Sequence, residues 1–441
     1  FIIAFSLYSA VLRFYTDYKD DRDKLKRFYG TIIVFIFISG TLFVSLGIIL
    51  HKVLISLFFK DISFYPIVLI SLLTLIFISV HMIHQNILQS MQQGKKLTKI
   101  NLLIFGLQIC LNLFFIGILK MGAMGIILAT LIINVGYFIY MLNDLKKNNL
   151  ITFCLDKEIL SEALKYSIPL MPHNLSTVIA SFVSRIFINT SGSLASVGLY
   201  SIALQFSVLI DGFQVAVNNA FTPWFFDMMN KNSKESKKDI VSYSKFLLIL
   251  YSFLYLGIGL FSPELILFLT NERYSMAWTV IPILVIAYSV KSIYYFFVNI
   301  LLYFKDAARK IFIATFIGSF FDIILAYILV PKFGMYGAAC AFLIAKVIVV
   351  TIIVFISKKY NNIGYRVSEM VKIIIPSLLF IGIGLYLSYT EYLNIFSWFN
   401  LSYKLGILLV YMVYIYLTNK KMINNIIESR EFRRILRRKV I

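Results

Sequence analysis

Two stretches of the chain share one pattern: KMGAMGIILATLI at residues 120–132 and KFGMYGAACAFLI at residues 332–344. In each stretch a lysine precedes a G-x-x-G pair, Gly122 with Gly125 and Gly334 with Gly337, and an apolar run follows. The glycines are therefore expected to form tight hairpins or close helix contacts where helices begin. No phosphate-binding loop pattern accompanies them. The offset of 212 residues predicts a chain built from two similar halves.

Two further matches support the repeat. Residues 86–100 resemble residues 299–313 at an offset of 213, and residues 9–15 resemble residues 219–225 at an offset of 210. The offset spans an even number of the predicted helices, which indicates parallel repeats related by an axis along the membrane normal. The matched Asn86 and Asn299 are interpreted as helix-bridging, structural residues. Because the second half begins near residue 168, the repeat predicts that roughly 40 residues precede Phe1, so that the N-terminus is truncated.

The composition excludes a soluble globule. The chain has 441 residues, of which 60% are hydrophobic and only 14% charged, and its mean hydropathy is +0.85. A polar shell cannot be made from so few charged residues, so the surface must face lipid. The net charge of +21 does not indicate nucleic acid, because the basic residues lie in short clusters between apolar runs. The three cysteines are far apart and predict neither a disulfide framework nor a metal site.

Hydropathy predicts an all-α polytopic membrane protein. An apolar half-span opens the chain, and twelve complete candidate spans of about 20 residues follow it. They lie near 29–50, 63–85, 99–119, 122–142, 168–189, 195–225, 243–270, 278–303, 310–330, 335–357, 371–390 and 401–418. With the missing start, about 12.5 of 14 spans are present. They are expected to form two pseudo-symmetric six-helix bundles and two additional C-terminal helices.

Basic residues alternate between the predicted loops. Of the 42 lysines and arginines, 32 lie in every second loop and in the C-terminal tail, six lie in the intervening loops and four lie inside spans. Basic loops stay in the cytoplasm, so the alternation supports the number of spans and places the C-terminus in the cytoplasm. The predicted regions are an N-terminal lobe (1–142), a cytoplasmic amphipathic linker (143–167), a C-terminal lobe (168–358), two extra spans (359–418) and a basic cytoplasmic tail (419–441).

Local motifs resemble a family of glycolipid transporters. The segment IPLMPHNLSTVIASFVSRIFINTSGSLASVGLYSIA, from residue 168, is similar to the seventh-helix region of Wzx-type O-antigen and polysaccharide flippases. The segments SPELILFLTNERYSMAW, from residue 262, and LYSAVLRFYTDYKDD, from residue 7, resemble the same family. These flippases belong to the multidrug/oligosaccharidyl-lipid/polysaccharide (MOP) exporter superfamily. One departure is Ser184 before Arg185, where many relatives have aspartate, so an ion pair made by that aspartate must be absent or supplied elsewhere.

The resemblance implies fourteen helices in two lobes, alternating access and an undecaprenyl-pyrophosphate-linked oligosaccharide as cargo. It also implies the bacterial cytoplasmic (inner) membrane as the location. Expected partners are the lipid-linked oligosaccharide, membrane lipids, a glycan polymerase and other polysaccharide assembly proteins, without nucleic acid. No ATPase motif is present, so an ion gradient of H+ or Na+, or consumption of the product, must drive transport.

Charged residues inside spans are the candidate site. Each costs about 2.5 to 3.5 kcal/mol at a helix centre on insertion scales and usually faces a bundle interior or a water-filled cavity. The cationic set is Arg13, Arg185, Lys291 and Lys346, and the acidic set is Asp211 and Asp322. Excess positive charge attracts anions, and arginine makes bidentate bonds to phosphate, so the four cations are predicted to line the substrate cavity. The alternative is that the cations pair with Asp211 and Asp322 or extend towards the interface.

Three histidines are candidates for proton coupling or metal binding. His173 is a candidate for proton coupling, although bonding to carbonyls freed near Pro169 and Pro172 is the simpler interpretation. His81 and His84 share a helix face, but no third metal ligand is evident, so a hydrogen-bonded or solvated role is expected. No catalytic residue is predicted and no cofactor is expected.

Two rival functions are also considered for this sequence. A drug or ion antiporter of the MATE type, in the same superfamily, should favour carboxylates in its cavity, whereas cations outnumber aspartates here. A membrane glycan polymerase or ligase should carry a long outer loop with catalytic groups, and the longest such loop, roughly residues 391–404, is short and lacks an acid/base cluster. The sequence therefore favours a transporter over an enzyme.

Overall fold

The computed structural model describes residues 3–58, 64–168, 171–304, 307, 310–390 and 396–428. Within these ranges the regular structure is entirely helical, which confirms the predicted all-α class. Fifteen helices are described: α1 Leu7–Tyr18, α2 Arg22–Ile49, α3 His51–Phe58, α4 Leu69–Ser90, α5 Gly94–Asn112, α6 Gly122–Lys147, α7 Lys157–Ser167, α8 Met171–Ser191, α9 Leu194–Lys231, α10 Lys234–Leu260, α11 Ser262–Leu269, α12 Ile281–Tyr303, α13 Ile311–Tyr360, α14 Val367–Thr390 and α15 Trp398–Glu428. Short π-helical turns precede α4 and follow α5, and a 3-10 segment, Glu272–Thr279, precedes α12.

Ten helices in the described part of the chain are long and apolar enough to cross a membrane. One of these ten is α13, a 50-residue segment in which Gly334 is not helical (φ 55°, ψ −131°). A single 50-residue helix would be about 75 Å long, far more than the roughly 30 Å of a hydrocarbon core. The break at Gly334 therefore separates two segments, close to the predicted spans 310–330 and 335–357.

The segments of α13 pack against each other as an antiparallel hairpin. A Cβ added at Gly337 would lie 2.3 Å from the carbonyl oxygen of Leu329, and one added at Gly318 would lie 2.1 Å from Cγ2 of Val349. The first contact is beside the break and the second is more than two turns further along both segments. The matching turn before α6 has the same design, because Gly122 has a φ of +56° and a Cβ at Gly125 would lie 2.9 Å from the Cβ of Phe115. The hairpin prediction for the G-x-x-G pairs is confirmed.

The chain forms two compact units, Phe1–Leu175 and Ser176–Ile441. In the first unit, α1, α2, α4 and α6 bury an apolar core around Phe28, Tyr29, Ile32 and Val80. The short helix α7 begins after Asp156, whose side chain caps it by accepting from the backbone of Glu158 and Ile159. This helix lies within the segment predicted to be an amphipathic linker, and its Glu162 accepts a 2.7 Å hydrogen bond from the Tyr18 hydroxyl of α1.

The second unit has the larger core. Its helix α12 is mostly buried and packs against α9, α10 and α13. In this unit Lys404 of α15 is fully buried, and its ammonium donates to both carboxylate oxygens of Glu264, at 2.6 and 2.9 Å. This pairing satisfies a lysine that would otherwise be an uncompensated buried charge, and it joins α15 to α11.

Candidate functional site

Arg185 is held on α8 by hydroxyl groups. Its Nη1 donates to Ser181 Oγ at 3.0 Å, one turn earlier on the same helix, and its Nε donates to Ser201 Oγ on α9 at 3.3 Å. Ser184 turns back and donates to the carbonyl oxygen of Ala180 at 3.0 Å. Among the described residues no carboxylate pairs with Arg185, so the structure does not replace the aspartate of the relatives, and the guanidinium keeps its charge available.

Lys291 on α12 is neutralised by Asp211 on α9. The ammonium donates to both carboxylate oxygens at 2.7 and 2.8 Å, and the Tyr295 hydroxyl donates to Oδ1 at 2.7 Å. Both charged side chains are 23% exposed. Three charge-assisted hydrogen bonds on one carboxylate make a well-satisfied pair. The alternative that a span cation pairs with Asp211 is thus realised for Lys291.

A cavity of about 320 Å³ adjoins this pair. Four helical segments of the second unit enclose it: α8, α12 and both arms of the α13 hairpin. Its lining consists of Ala180, Ser181, Lys291, Tyr294, Tyr295, Thr315, Gly318, Ser319, Asp322, Phe342, Ala345, Lys346, Val349 and Val350. Its size lies at the lower end of the range for small-molecule sites, which suits one sugar ring or one phosphate group better than a whole glycolipid.

Asp322 and Lys346 face this cavity from opposite arms of the α13 hairpin. Asp322 is only 7% exposed, yet its buried Oδ1 has no hydrogen-bond partner. The Lys346 ammonium lies 4.5 Å from the ring centroid of Phe342 and makes no ion pair with the described carboxylates. The two charges influence each other electrostatically but do not form a salt bridge. An unpaired buried polar atom costs about 1 to 3 kcal/mol, so these groups are available to a ligand or an ion.

The net electrostatics of the site favour an anion that also carries a donor. Lys291 and Asp211 cancel each other, which leaves Arg185 and Lys346 against Asp322. Arginine offers a fork of donors to phosphate oxygens, and lysine offers a mobile point charge. The free Asp322 oxygen can accept a hydrogen bond from a ligand, such as one from a sugar hydroxyl or amide. The arrangement therefore suits a sugar phosphate better than either a simple cation or a purely apolar molecule.

The predicted site residues divide between the two units. In the second unit Lys291, Lys346 and Asp322 line the cavity. Asp211 reaches it through its pair with Lys291, and Arg185 is not among the lining residues but bonds to one of them, Ser181. Arg13 lies in the first unit, where its side chain is 52% exposed and its Nη1 donates to Asp17 at 2.7 Å. The side chain of His173 lies outside the part of the structure that is described, so its coupling role stays a prediction.

Sequence reasoning missed the uncharged lining of the cavity. Helical spacing carried the signal: Ser181 precedes Arg185 by four residues, Tyr295 follows Lys291 by four, and Phe342 precedes Lys346 by four. Thr315, Ser319 and Asp322 form a polar stripe at the same period on an otherwise apolar helix. Residues three or four apart share a helix face, so a search around each span charge would have found them.

A second polar network lies in the first unit, at one end of α4, α5 and α6. The His84 ring contacts the Tyr137 hydroxyl through Nδ1 at 2.6 Å and Asp144 through Nε2 at 3.2 Å. Lys96 donates to both oxygens of Asp144 at 2.6 and 2.7 Å. His81 contacts Asn134 at 2.9 Å. Both histidines are hydrogen-bonded, as predicted, and no group of three metal-ligating side chains occurs among the described residues.

The matched asparagines behave differently. Asn299 donates to Asn218 Oδ1 at 2.9 Å and accepts from the Thr222 hydroxyl at 3.3 Å, so it bridges α12 and α9 as predicted. Asn86 instead donates to the carbonyl oxygen of Met82, on its own helix, at 2.7 Å. The bridging interpretation is therefore confirmed for Asn299 and wrong for Asn86.

Comparisons with known proteins agree with this geometry. A family profile described as polysaccharide biosynthesis protein matches residues 17–245, just over half of the chain. No curated protein matches the sequence significantly.

Solved structures share the fold at low sequence identity. The lipid II flippase MurJ, in an inward closed conformation, matches with a TM-score of 0.73 and 20% identity over 95% of this chain and 88% of that chain. An inward-facing multidrug resistance MATE transporter of the MOP superfamily matches with a TM-score of 0.69 and 17% identity over 84% and 88% of the two chains. A MOP superfamily transporter from Pyrococcus furiosus matches with a TM-score of 0.55 and 17% identity over 82% and 84%. The fold is thus that of the MOP transporters and flippases.

Proposed function

Because the chain belongs to the polysaccharide biosynthesis protein family, we propose that it is a secondary transporter that flips an undecaprenyl-pyrophosphate-linked oligosaccharide, the repeat unit of a polysaccharide. It carries the unit from the inner to the outer leaflet of the bacterial cytoplasmic membrane by alternating access. Its fold, shared with a lipid II flippase, supports this class of cargo. In this proposal the protein has fourteen spans in two six-helix bundles plus two, and a cytoplasmic C-terminus.

One observation carries the proposal: a cavity among membrane helices is lined by Lys346, and Arg185 lies beside it, bonded to the lining residue Ser181. No described carboxylate forms an ion pair with either cation. Charged side chains inside membrane spans are energetically costly, so those that occur usually mark a functional site. A pyrophosphate presents several oxygens to these donors. Lys291 is assigned to holding Asp211, and the exposed Arg13 is assigned to a contact with the anionic head group during entry or exit.

The coupling ion is assigned to Asp322. Its buried oxygen lacks a partner and lies in the same cavity as the cations, so a proton or Na+ bound there alters the charge that the head group meets. Asp211 is less suited, because Lys291 and Tyr295 already occupy its oxygens. Transport needs no cofactor in this proposal, and a glycan polymerase consumes the product outside.

A MATE-like drug or ion antiporter is the second candidate. The observation in its favour is the same free carboxylate, Asp322, which a cationic drug would also find attractive. The two unpaired cations oppose it, since they repel such a drug.

The test is export in cells that lack the chromosomal copy. We expect radiolabelled lipid-linked oligosaccharide to accumulate on the cytoplasmic side, and the wild-type chain to restore export. Arg13→Ala and Arg185→Ala abolish export at normal protein level, whereas Arg273→Ala, which changes an exposed arginine in the 3-10 segment, retains it. Full export by both the Arg13→Ala and the Arg185→Ala variants would refute the assignment. Loss of drug resistance without glycolipid accumulation would instead favour the antiporter.

A further inference from the structure

A long apolar groove lies between α5 and α6 in the first unit. Its volume is about 560 Å³, and its walls are aliphatic along α5, as at Leu103 and Leu107, and along α6, as at Ile132. None of the residues of α5 is buried, and many along its length are exposed, although one side packs against α4 and α6. The groove therefore opens to lipid chains rather than to the apolar core of the unit.

One end of the groove is cationic. Lys99 lines it at that end, and among the described residues no carboxylate pairs with Lys99. Its neighbour Lys96 is already bound to Asp144 of α6. The last turn of α6 adds Lys146 and Lys147 near the same end. Basic pockets between membrane helices attract anionic lipid head groups, and here the basic end continues into an apolar slot.

Gly136 gives the slot its depth. It lies on the α6 wall, and a Cβ added there would meet nothing within 4 Å. Most glycines at helix–helix contacts let two backbones approach, but Gly136 borders open space. An empty apolar slot of this size in a bilayer is filled by a hydrocarbon chain, because no water is available to occupy it favourably.

We propose that the α5–α6 groove binds one acyl chain of an anionic phospholipid, with the phosphate at Lys99. The inference does not rest on the proposed transport function. Charge complementarity selects the anionic lipid over a zwitterionic one, and the exposed Tyr140, which lines the groove, supplies a hydroxyl group suited to the interface.

The experiment is native mass spectrometry of the full chain in detergent, titrated with dioleoyl phosphatidylglycerol or dioleoyl phosphatidylcholine. We expect the anionic lipid to bind about fivefold more tightly, which is what one lysine contributes near a membrane surface. Lys99→Gln abolishes this preference, whereas Lys120→Gln, beyond the other end of α5, keeps it. Gly136→Leu reduces binding of both lipids by filling the slot. Gly106→Leu, also next to open space but not among the groove residues, does not.

Equal binding of the two lipids to the wild-type chain would overturn the proposal. So would a Lys99→Gln variant that keeps the preference, or a Gly136→Leu variant that binds like Gly106→Leu. Displacement of phosphatidylglycerol by an equimolar polyprenyl monophosphate would also overturn it, because the groove would then hold the tail of a transported lipid rather than a membrane phospholipid. Circular dichroism of all four variants confirms that each is folded.

Discussion

The charge pattern of the sequence does not predict the environment in which Asp322 lies. It lies one or two turns from Thr315 and Ser319 on the same helix, yet its Oδ1 accepts no hydrogen bond. A buried carboxylate in that state needs a proton, a metal ion or a ligand donor. Asp322 lines the same cavity as Lys346 and interacts with it electrostatically, so in the proposed mechanism an ion bound at Asp322 would alter substrate binding.

Removing this carboxylate should uncouple transport from its driving ion. We expect Asp322→Asn to lose acceleration by an imposed pH or Na+ gradient in proteoliposomes while still equilibrating substrate downhill. Asp227→Asn changes an exposed aspartate of α9 and serves as the control. An Asp322→Asn protein that still responds fully to both gradients would show that the coupling ion binds elsewhere.

The Lys291–Asp211 pair should behave as a unit. Lys291→Met or Asp211→Asn alone leaves the partner without its counter-charge, which is destabilising at a partly buried site. The double variant removes both charges, so it should lose less than the sum of the single losses. Thermal unfolding of the four proteins should give a coupling of about 0.5 to 3 kcal/mol. Strictly additive losses would mean that the pair is too solvated to matter.

At the scale of helices, the α13 hairpin builds the cavity. Gly334 permits the left-handed turn, Gly337 permits close contact beside it, and Gly318 permits contact deeper in the hairpin. Asp322 and Lys346 face one cavity because these contacts set the register of the two arms.

A methyl group at Gly337 should disrupt that register. Its Cβ would lie 2.3 Å from the Leu329 carbonyl oxygen, and backbone cannot give way as a flexible side chain does. Overpacking of this kind typically costs about 1 to 3 kcal/mol, so Gly337→Ala should lower the melting temperature and substrate binding together. Gly382→Ala, on α14 where a Cβ meets nothing within 4 Å, should be neutral or slightly stabilising. Equal melting temperatures for the two variants would contradict the hairpin contact.

The hairpin and the two lysines that line the cavity were predictable from sequence, whereas the pairing of the span charges was not. Repeated G-x-x-G pairs before apolar runs predict tight hairpins with close helix contacts, and both pairs form them. Which span charges pair depends on distances between helices: Lys291 meets Asp211 across α12 and α9, while Lys346 does not bond to Asp322. The same limit explains Asn86, which matches Asn299 in the repeat but bonds within its own helix. Arg13 differs, because its partner Asp17 lies four residues later on the same helix, a spacing that the sequence itself shows.

At the scale of the whole molecule, the polytopic architecture follows from composition and charge placement. The alternation of basic loops predicts the orientation of every span. The side of the membrane on which the C-terminus lies therefore tests the orientation of all of them. A green fluorescent protein fused after Ile441 should fluoresce, and alkaline phosphatase fused there should be inactive, because both report a cytoplasmic C-terminus. Active phosphatase would mean that one span has been miscounted.

We propose above all that Arg185 and Lys346 bind the anionic head group of the cargo. The most direct measurement is the equilibrium affinity of purified wild-type, Arg185→Gln, Lys346→Gln and Lys332→Gln proteins for an undecaprenyl-pyrophosphate-linked oligosaccharide. Hydrogen bonds to charged groups are worth about 1.5 to 3 kcal/mol. The Arg185→Gln and Lys346→Gln proteins should therefore each lose roughly tenfold or more in affinity. Lys332→Gln, which changes an exposed lysine beside the hairpin turn, should bind like wild type. Equal affinities of all four proteins would show that neither Arg185 nor Lys346 contributes to binding of the head group.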